Sequence, residues 1–319
     1  MQRPWLTPLV VGFWCITTGW LLVEKILPSL STGSPPGYQA LYSSGDETTP
    51  VGWNVSWNGR PMGSAVSLAQ RTDDGGMVVN SLLRFDRLPI EELLPAWTKM
   101  LVRRALEHEG AGPRKAFPAM ALTSRGRLTI DSEGRLLAFN STVDLPGTDE
   151  PLLLDGTIDD GHVKILIKSG DLRYETSRYF PSHVAISDEL SPQATLPGLH
   201  VGRHWTVPVY SPLRPGHAPI EVLYAEVTGE ETIFWEERPT TVHVVVYRND
   251  PASHREPRCR LWVDRSGRVL RQETSMFGST MAFLRQSDEV AESMADRGDL
   301  YADAAAGSTA DATGEDAEP

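Results

Sequence analysis

The chain has 319 residues, a formal net charge of −12, 40% hydrophobic and 23% charged residues, and two cysteines. It is too apolar to be disordered throughout and too polar to be a multi-span membrane protein. Two cysteines support neither a disulfide framework nor a cysteine-rich zinc site, and the acidity argues against nucleic acid as a partner.

The first element is the uncharged run Trp5–Val23. Its 19 residues match the hydrocarbon thickness of a bilayer, and Trp5 and Trp20 suit the two interfaces. No small-x-small cleavage site follows Val23, and Trp14 stands where a lipoprotein Cys15 needs a small residue. The run therefore reads as an uncleaved signal-anchor transmembrane helix within residues 1–27. Arg3 favours a cytoplasmic amino terminus and an extracytoplasmic (periplasmic) soluble part. Residues 28–50 are rich in Pro, Ser, Gly and Thr and read as a flexible linker.

From Val51 the period changes to two. Val51, Trp53, Val55 and Trp57 alternate with small or polar residues, as do Val163, Ile165 and Ile167, and Val242, Val244 and Val246. Such runs are half-buried antiparallel strands. Asn58-Gly59, Glu133-Gly134, Asp160-Gly161, Ser169-Gly170 and Ser266-Gly267 supply hairpin turns. The fold class is mainly β (α+β): a large curved antiparallel sheet or incomplete barrel with one amphipathic helix. That helix is predicted over Pro89–Glu109, where Leu93, Leu94, Trp97, Leu101 and Leu106 fall at helical spacing. The concave face of the sheet is its natural seat.

Arg127–Leu137 (RLTIDSEGRLL) and Arg260–Leu270 (RLWVDRSGRVL) form a weak internal repeat, each a strand, an Asp-x-x-Gly turn and a returning strand. Two readings follow: hairpin chemistry converging on one solution, or two related halves at 51–198 and 199–287 of a 51–287 domain. Trp53, Val55, Trp57, Gly59 and Gly63, with Leu261–Glu273, resemble periplasmic proteins related to the lipoprotein-localisation carriers. The resemblance implies an incomplete barrel with helices in its concave face, no catalytic motif, and either a cavity for an apolar chain or a bare scaffold of that shape.

Catalytic and metal signatures are sparse. His200 and His204 are four apart, but on a strand they stand roughly 13 Å from each other, too far for one zinc. No HExxH, GxSxG, P-loop or GxGxxG occurs. Cys259 lies in a strand pattern and reads as a core residue. Glu230, Glu231, Glu236 and Glu237 flank Ile233, Phe234 and Trp235, the one arrangement suggesting carboxylate acid/base work. The expectation is no metal, no cofactor and no catalytic residue. Trp53, Trp57, Trp97, Trp205, Trp235 and Trp262 are the candidate aromatic lining of a ligand cavity, with core filling as the alternative.

From Asp288 onward ten acids face one base, so −9 of the −12 falls after residue 287. Residues 288–319 read as an acidic, largely disordered tail on a nearly neutral body. The functional expectation is a membrane-anchored cell-envelope protein with a non-catalytic binding or scaffold role. Its partners are the membrane, through the amino-terminal helix, and a lipid or other apolar ligand or an envelope protein. The alternatives are an accessory subunit of an envelope transport complex and a carboxylate-dependent glycoside or peptidoglycan hydrolase.

Overall fold

The computed structural model describes residues 6–21, 49–88, 120–144, 150–180, 185–186, 192–210, 220–253, 255–276 and 278–301. Helix α1 is Leu6–Leu21. Eight strands follow: β1 (Val51–Trp57), β2 (Arg60–Arg71), β3 (Met77–Leu88), β4 (Met120–Ile130), β5 (Leu136–Asp144), β6 (Leu152–Asp159), β7 (His162–Ser169) and β8 (Leu172–Tyr179). Then come β9 (Ala185–Ile186), β10 (His204–Tyr210), β11 (Ile220–Trp235), β12 (Arg238–Arg248), β13 (Cys259–Asp264), β14 (Val269–Met276) and β15 (Ser279–Arg285). Helix α2 (Asp288–Arg297) closes the described chain.

The strands form one 15-stranded sheet, β8-β7-β6-β5-β4-β3-β2-β1-β15-β14-β13-β12-β11-β10-β9. All neighbours pair antiparallel except β9 and β10. The first strand lies beside the last, with Trp53 opposite Arg285 and Val55 opposite Phe283. Two meandering arms thus grow outward from a central β1–β15 seam. Laid flat, fifteen strands would span roughly 65 Å. Yet β8 and β9 occupy opposite edges, and five residues from Phe180 to Ala185 reach at most roughly 18 Å. The sheet must therefore curl until its edges approach each other. The expected large curved antiparallel sheet is what the chain forms.

One face gathers the largest apolar cluster, from both arms: Trp53, Val55 and Trp57 of β1, Leu83 and Phe85 of β3, Trp205 of β10, Val245 and Tyr247 of β12, and Phe283 of β15. This is the inner face. The segment 192–199 crosses it, held by Leu196 N–H to the Gly267 carbonyl (2.7 Å), Val269 N–H to the Ala194 carbonyl (3.1 Å) and Arg285 Nη1 to the Ala194 carbonyl (2.9 Å). On the outer face α2 lies over β1 and β2, and its Ala295, with Leu300 just beyond the helix, packs against Val66, Leu68 and Leu82. A second outer cluster joins Val242, Val244, Val246, Trp262 and Leu270.

Two features differ from the sequence reading. Asp288–Arg297, assigned by composition to the acidic tail, is a helix. Ala291 and Ala295 recur at helical spacing and are buried, whereas the acids occupy its exposed face. Gly52 lies beneath it, where a Cβ would come within 3.1 Å of the Ala291 Cα. Of the expected span Trp5–Val23 the described part, Leu6–Leu21, is helical over 16 residues, about 24 Å. Among the described residues no helix is long and apolar enough to cross a membrane. The predicted helix over Pro89–Glu109, with Trp97, lies outside the described residues.

The repeated hairpins share their geometry. Asp131 Oδ1 accepts from the Glu133 and Arg135 amides at 3.0 and 2.7 Å, and Oδ2 from Arg135 Nε at 2.8 Å. Asp264 Oδ1 accepts from the Ser266 and Arg268 amides at 2.9 Å each, and Oδ2 from Arg268 Nε at 2.8 Å. Register slips at Thr129/Ile130 in one and at Trp262/Val263 in the other, the same step from the turn.

Candidate functional site

The tryptophans divide by face. Trp53 (0% exposed), Trp57 (4%) and Trp205 (1%) share the inner core cluster. Trp235 and Trp262 pack together on the outer face. Trp53 and Trp205 stand in equivalent pairings, opposite Ala65 and Ala225, and the indole N–H of each is buried without a hydrogen-bond partner. Arg203 lies over the Trp205 ring at 5.3 Å and Arg285 over Trp53 at 6.0 Å. Arg285 is buried, and the loss of water lowers its pKa, partly offset by the Asp288 carboxylate.

Along the inner face most positions of both arms are buried. In the carboxy-terminal arm Leu223, Ala225, Val245, Tyr247, Leu261 and Val263 are buried. Burial pushes the Tyr247 phenol pKa up, so it stays protonated. In the amino-terminal arm Met77, Val79, Ile130, Leu136, Val163 and Ile165 are buried, whereas Leu122, Leu128, Phe139, Val143 and Leu154 are half-buried, as are Val207 and Cys259 in the other arm. Through the amino-terminal arm runs a row of small residues in direct cross-strand register: Ser67, Ser81, Gly126 and Ser141. All four are half-buried. The Ser81 hydroxyl donates to the Gly126 carbonyl at 3.4 Å, and the Ser124 and Ser141 hydroxyls pair at 3.2 Å. Flanking the row in register are apolar residues, Leu128 and Phe139 on one side and Leu83 and Val143 on the other. The Phe139 ring occupies the space over its cross-strand neighbour Gly156, where a Cβ would come within 2.1 Å of the ring. Sequence reading did not single these positions out, because their shared row follows from strand register and not from any one strand's alternation.

On the outer face a groove of about 490 Å³ crosses the four central strands β2, β1, β15 and β14. Asn54, Ser56, Arg271, Glu273, Thr280 and Leu284 line it. Arg271 is paired with Glu273 and stacks on Trp262 at 4.7 Å. Arg271 and Glu273 fall in the Leu261–Glu273 motif but were assigned no role from sequence, and Asn54, Ser56 and Thr280 were not singled out, since solvated strand faces carry such residues everywhere.

The four glutamates are dispersed to other work. Glu231 accepts the Trp262 indole N–H at 2.9 Å, and Glu230 lies 3.4 Å from His243 Nε2. Glu236 and Glu237 form the turn between β11 and β12 with φ of 47° and 60°, an Asn-Gly type of turn made without glycine. Cys259 is half-buried beside Thr274, 3.9 Å from its hydroxyl. His204 Nδ1 is 3.2 Å from the Gly202 carbonyl. Among the described residues no three His, Cys, Asp or Glu side chains gather as a metal site.

No family model and no curated protein matches the sequence. Solved structures similar to the chain include a β-barrel-like protein of a domain of unknown function (DUF1849) from Brucella abortus, at 9% identity and TM-score 0.41, covering 75% of this chain and 96% of that one. Another is a DUF1089 family protein from Pseudomonas aeruginosa, at 16% identity and TM-score 0.33, covering 65% of this chain and 87% of that one. Likenesses this remote leave the architecture to be read from the chain's own strand register.

Proposed function

We propose that this is a membrane-anchored cell-envelope protein with a non-catalytic binding role, holding an apolar ligand on the inner face of its amino-terminal arm. The observation supporting the reading is one stretch of the amino-terminal arm's inner face, where Leu122, Leu128, Phe139, Val143 and Leu154 are half-buried beside the in-register small residues Ser67, Ser81, Gly126 and Ser141. Half-buried apolar side chains with a few polar groups suit a lipid-like chain. The carrier-like resemblance of the Trp53–Gly63 and Leu261–Glu273 motifs agrees with it. Anchoring is supported by α1, an uncharged helix whose Phe13, Trp14, Ile16 and Trp20 are each at least 65% exposed. Phe13, Ile16 and Trp20 share one side of the helix with Trp14 about a quarter-turn away, and such an apolar surface asks for lipid or another helix against it.

A second reading, an accessory subunit of an envelope complex, is favoured by the inner tryptophans Trp53, Trp57 and Trp205, which serve as core. Native mass spectrometry of the detergent-extracted full chain separates the two. The binding reading expects a co-purified lipid-sized mass that Leu122→Glu and Ser141→Phe each remove. Bare protein, together with no uptake of an apolar fluorophore, would leave the accessory-subunit reading in its place.

A further inference from the structure

We propose that the outer groove is a separate binding site, for a neutral saccharide unit of a glycan chain. Its volume, about 490 Å³, is on the scale of small-molecule sites. Its charge cancels, because Arg271 and Glu273 are already paired. A strongly charged ligand therefore gains little, whereas a neutral ligand with many hydroxyls can use both groups as donor and acceptor. Arg271 Nε is buried without an acceptor, and the guanidinium is fixed in place by the Trp262 ring at 4.7 Å.

The remaining polar lining is also unspent. No side-chain hydrogen bond within the described protein engages Asn54, Ser56 or the Thr280 hydroxyl, and all three face the groove. Between these groups Ala282 and Leu284 present apolar patches, Leu284 being 44% exposed. An amide, two hydroxyls and a guanidinium–carboxylate pair around small apolar patches complement a pyranose ring, which has hydroxyls at its rim and C–H faces. The groove crosses the four central strands rather than a loop, so its groups are held by the sheet's own register. Helix α2 covers Gly52, next along the same face of β1, and leaves Asn54 exposed.

The test uses the full chain in detergent, titrated by calorimetry with maltohexaose, cellohexaose and chitohexaose, and with a mixture of neutral tripeptides as the contrast. At least one hexasaccharide is expected to bind. The double variant Asn54→Ala/Ser56→Ala, at accessible positions, is expected to weaken binding by at least about tenfold through two lost hydrogen bonds. Its thermal midpoint should match the wild type, and any lipid-sized mass on the inner face should be retained. The proposal is overturned if none of the three sugars binds, if binding ignores the double variant, or if the tripeptides bind in place of the sugars.

Discussion

Asp264 shows how much one side chain organises. Its carboxylate accepts three hydrogen bonds from Ser266 and Arg268 besides the Arg268 Nε bond, and only 8% of the side chain is exposed. Burial pushes its pKa up, but the hydrogen bonds from Ser266 and Arg268 outweigh it and hold the carboxyl below the ordinary range. Asp131 makes the same amide and guanidinium bonds with a more exposed partner: Arg135 is 53% exposed, against 39% for Arg268. Asp264→Ala is expected to cost about 2–3 kcal/mol and Asp131→Ala about 1 kcal/mol, read from urea midpoints. Because the folded pKa of Asp264 is depressed, its contribution is complete above the unfolded value of about 4 and is lost as pH falls through the folded value. The stability gap between wild type and Asp264→Asn should therefore narrow below about pH 4. A gap that stays constant from pH 6 to pH 3 would show that the hydrogen-bonded carboxylate is not the source.

At the scale of elements, α2 is the helix that composition concealed. Ten acids after residue 287 mask four apolar positions, Ala291, Met294, Ala295 and Leu300, and only a receiving surface gives these their meaning. Gly52 is that surface, with the Met294 sulfur 3.0 Å from where its Cβ would stand. Gly52→Val is expected to lift the helix from the sheet at a cost of about 1–3 kcal/mol. Hydrogen exchange over 288–297 should then quicken, while exchange in β12 and β13 stays unchanged. The turns were plainer. Asn58-Gly59 and Asp160-Gly161 adopt left-handed φ at both residues, as the dipeptides foretell. Glu236-Glu237 does the same without the composition, because the β11–β12 ladder on both sides imposes the turn.

For the whole molecule, the decisive pairing is β1 with β15, which joins Trp53 to Arg285. It lies at the centre of the sheet order, with the strands numbered in between fanning out on either side. Removing residues 279–301 takes away this central strand and α2 together, so the truncated chain is expected to lose cooperative unfolding altogether rather than to shorten at one edge. By contrast, a chain beginning at residue 49 should keep the thermal midpoint of the full chain. That shortened chain should also leave the membrane fraction on carbonate washing, whereas the full chain should stay with it. Release of the full chain by carbonate would remove the anchor from the proposal. Within the sheet, β1–β6 and β10–β15 follow one another in the same order, and the Asp131 and Asp264 hairpins occupy matching places in the two runs.

The amino-acid sequence alone was enough for the antiparallel strands and the turns that join them, but not for the buried face of a strand such as β12, which packs Val242, Val244 and Val246 outside and Val245 and Tyr247 inside. Alternation and Asn-Gly or Asp-x-x-Gly chemistry are local, and each is satisfied within a few residues. It also determined that the amino-terminal run is uncharged and apolar. Only the tertiary structure decided which tryptophans share a face. Trp205 and Trp262 both lie in alternating strands, yet register places one in the inner core and the other outside. The tertiary structure likewise decided that Asp288–Arg297 folds and that a polar groove crosses the central strands. These depend on pairings between residues more than two hundred positions apart, such as Trp53 with Arg285, and no local pattern encodes a distant partner.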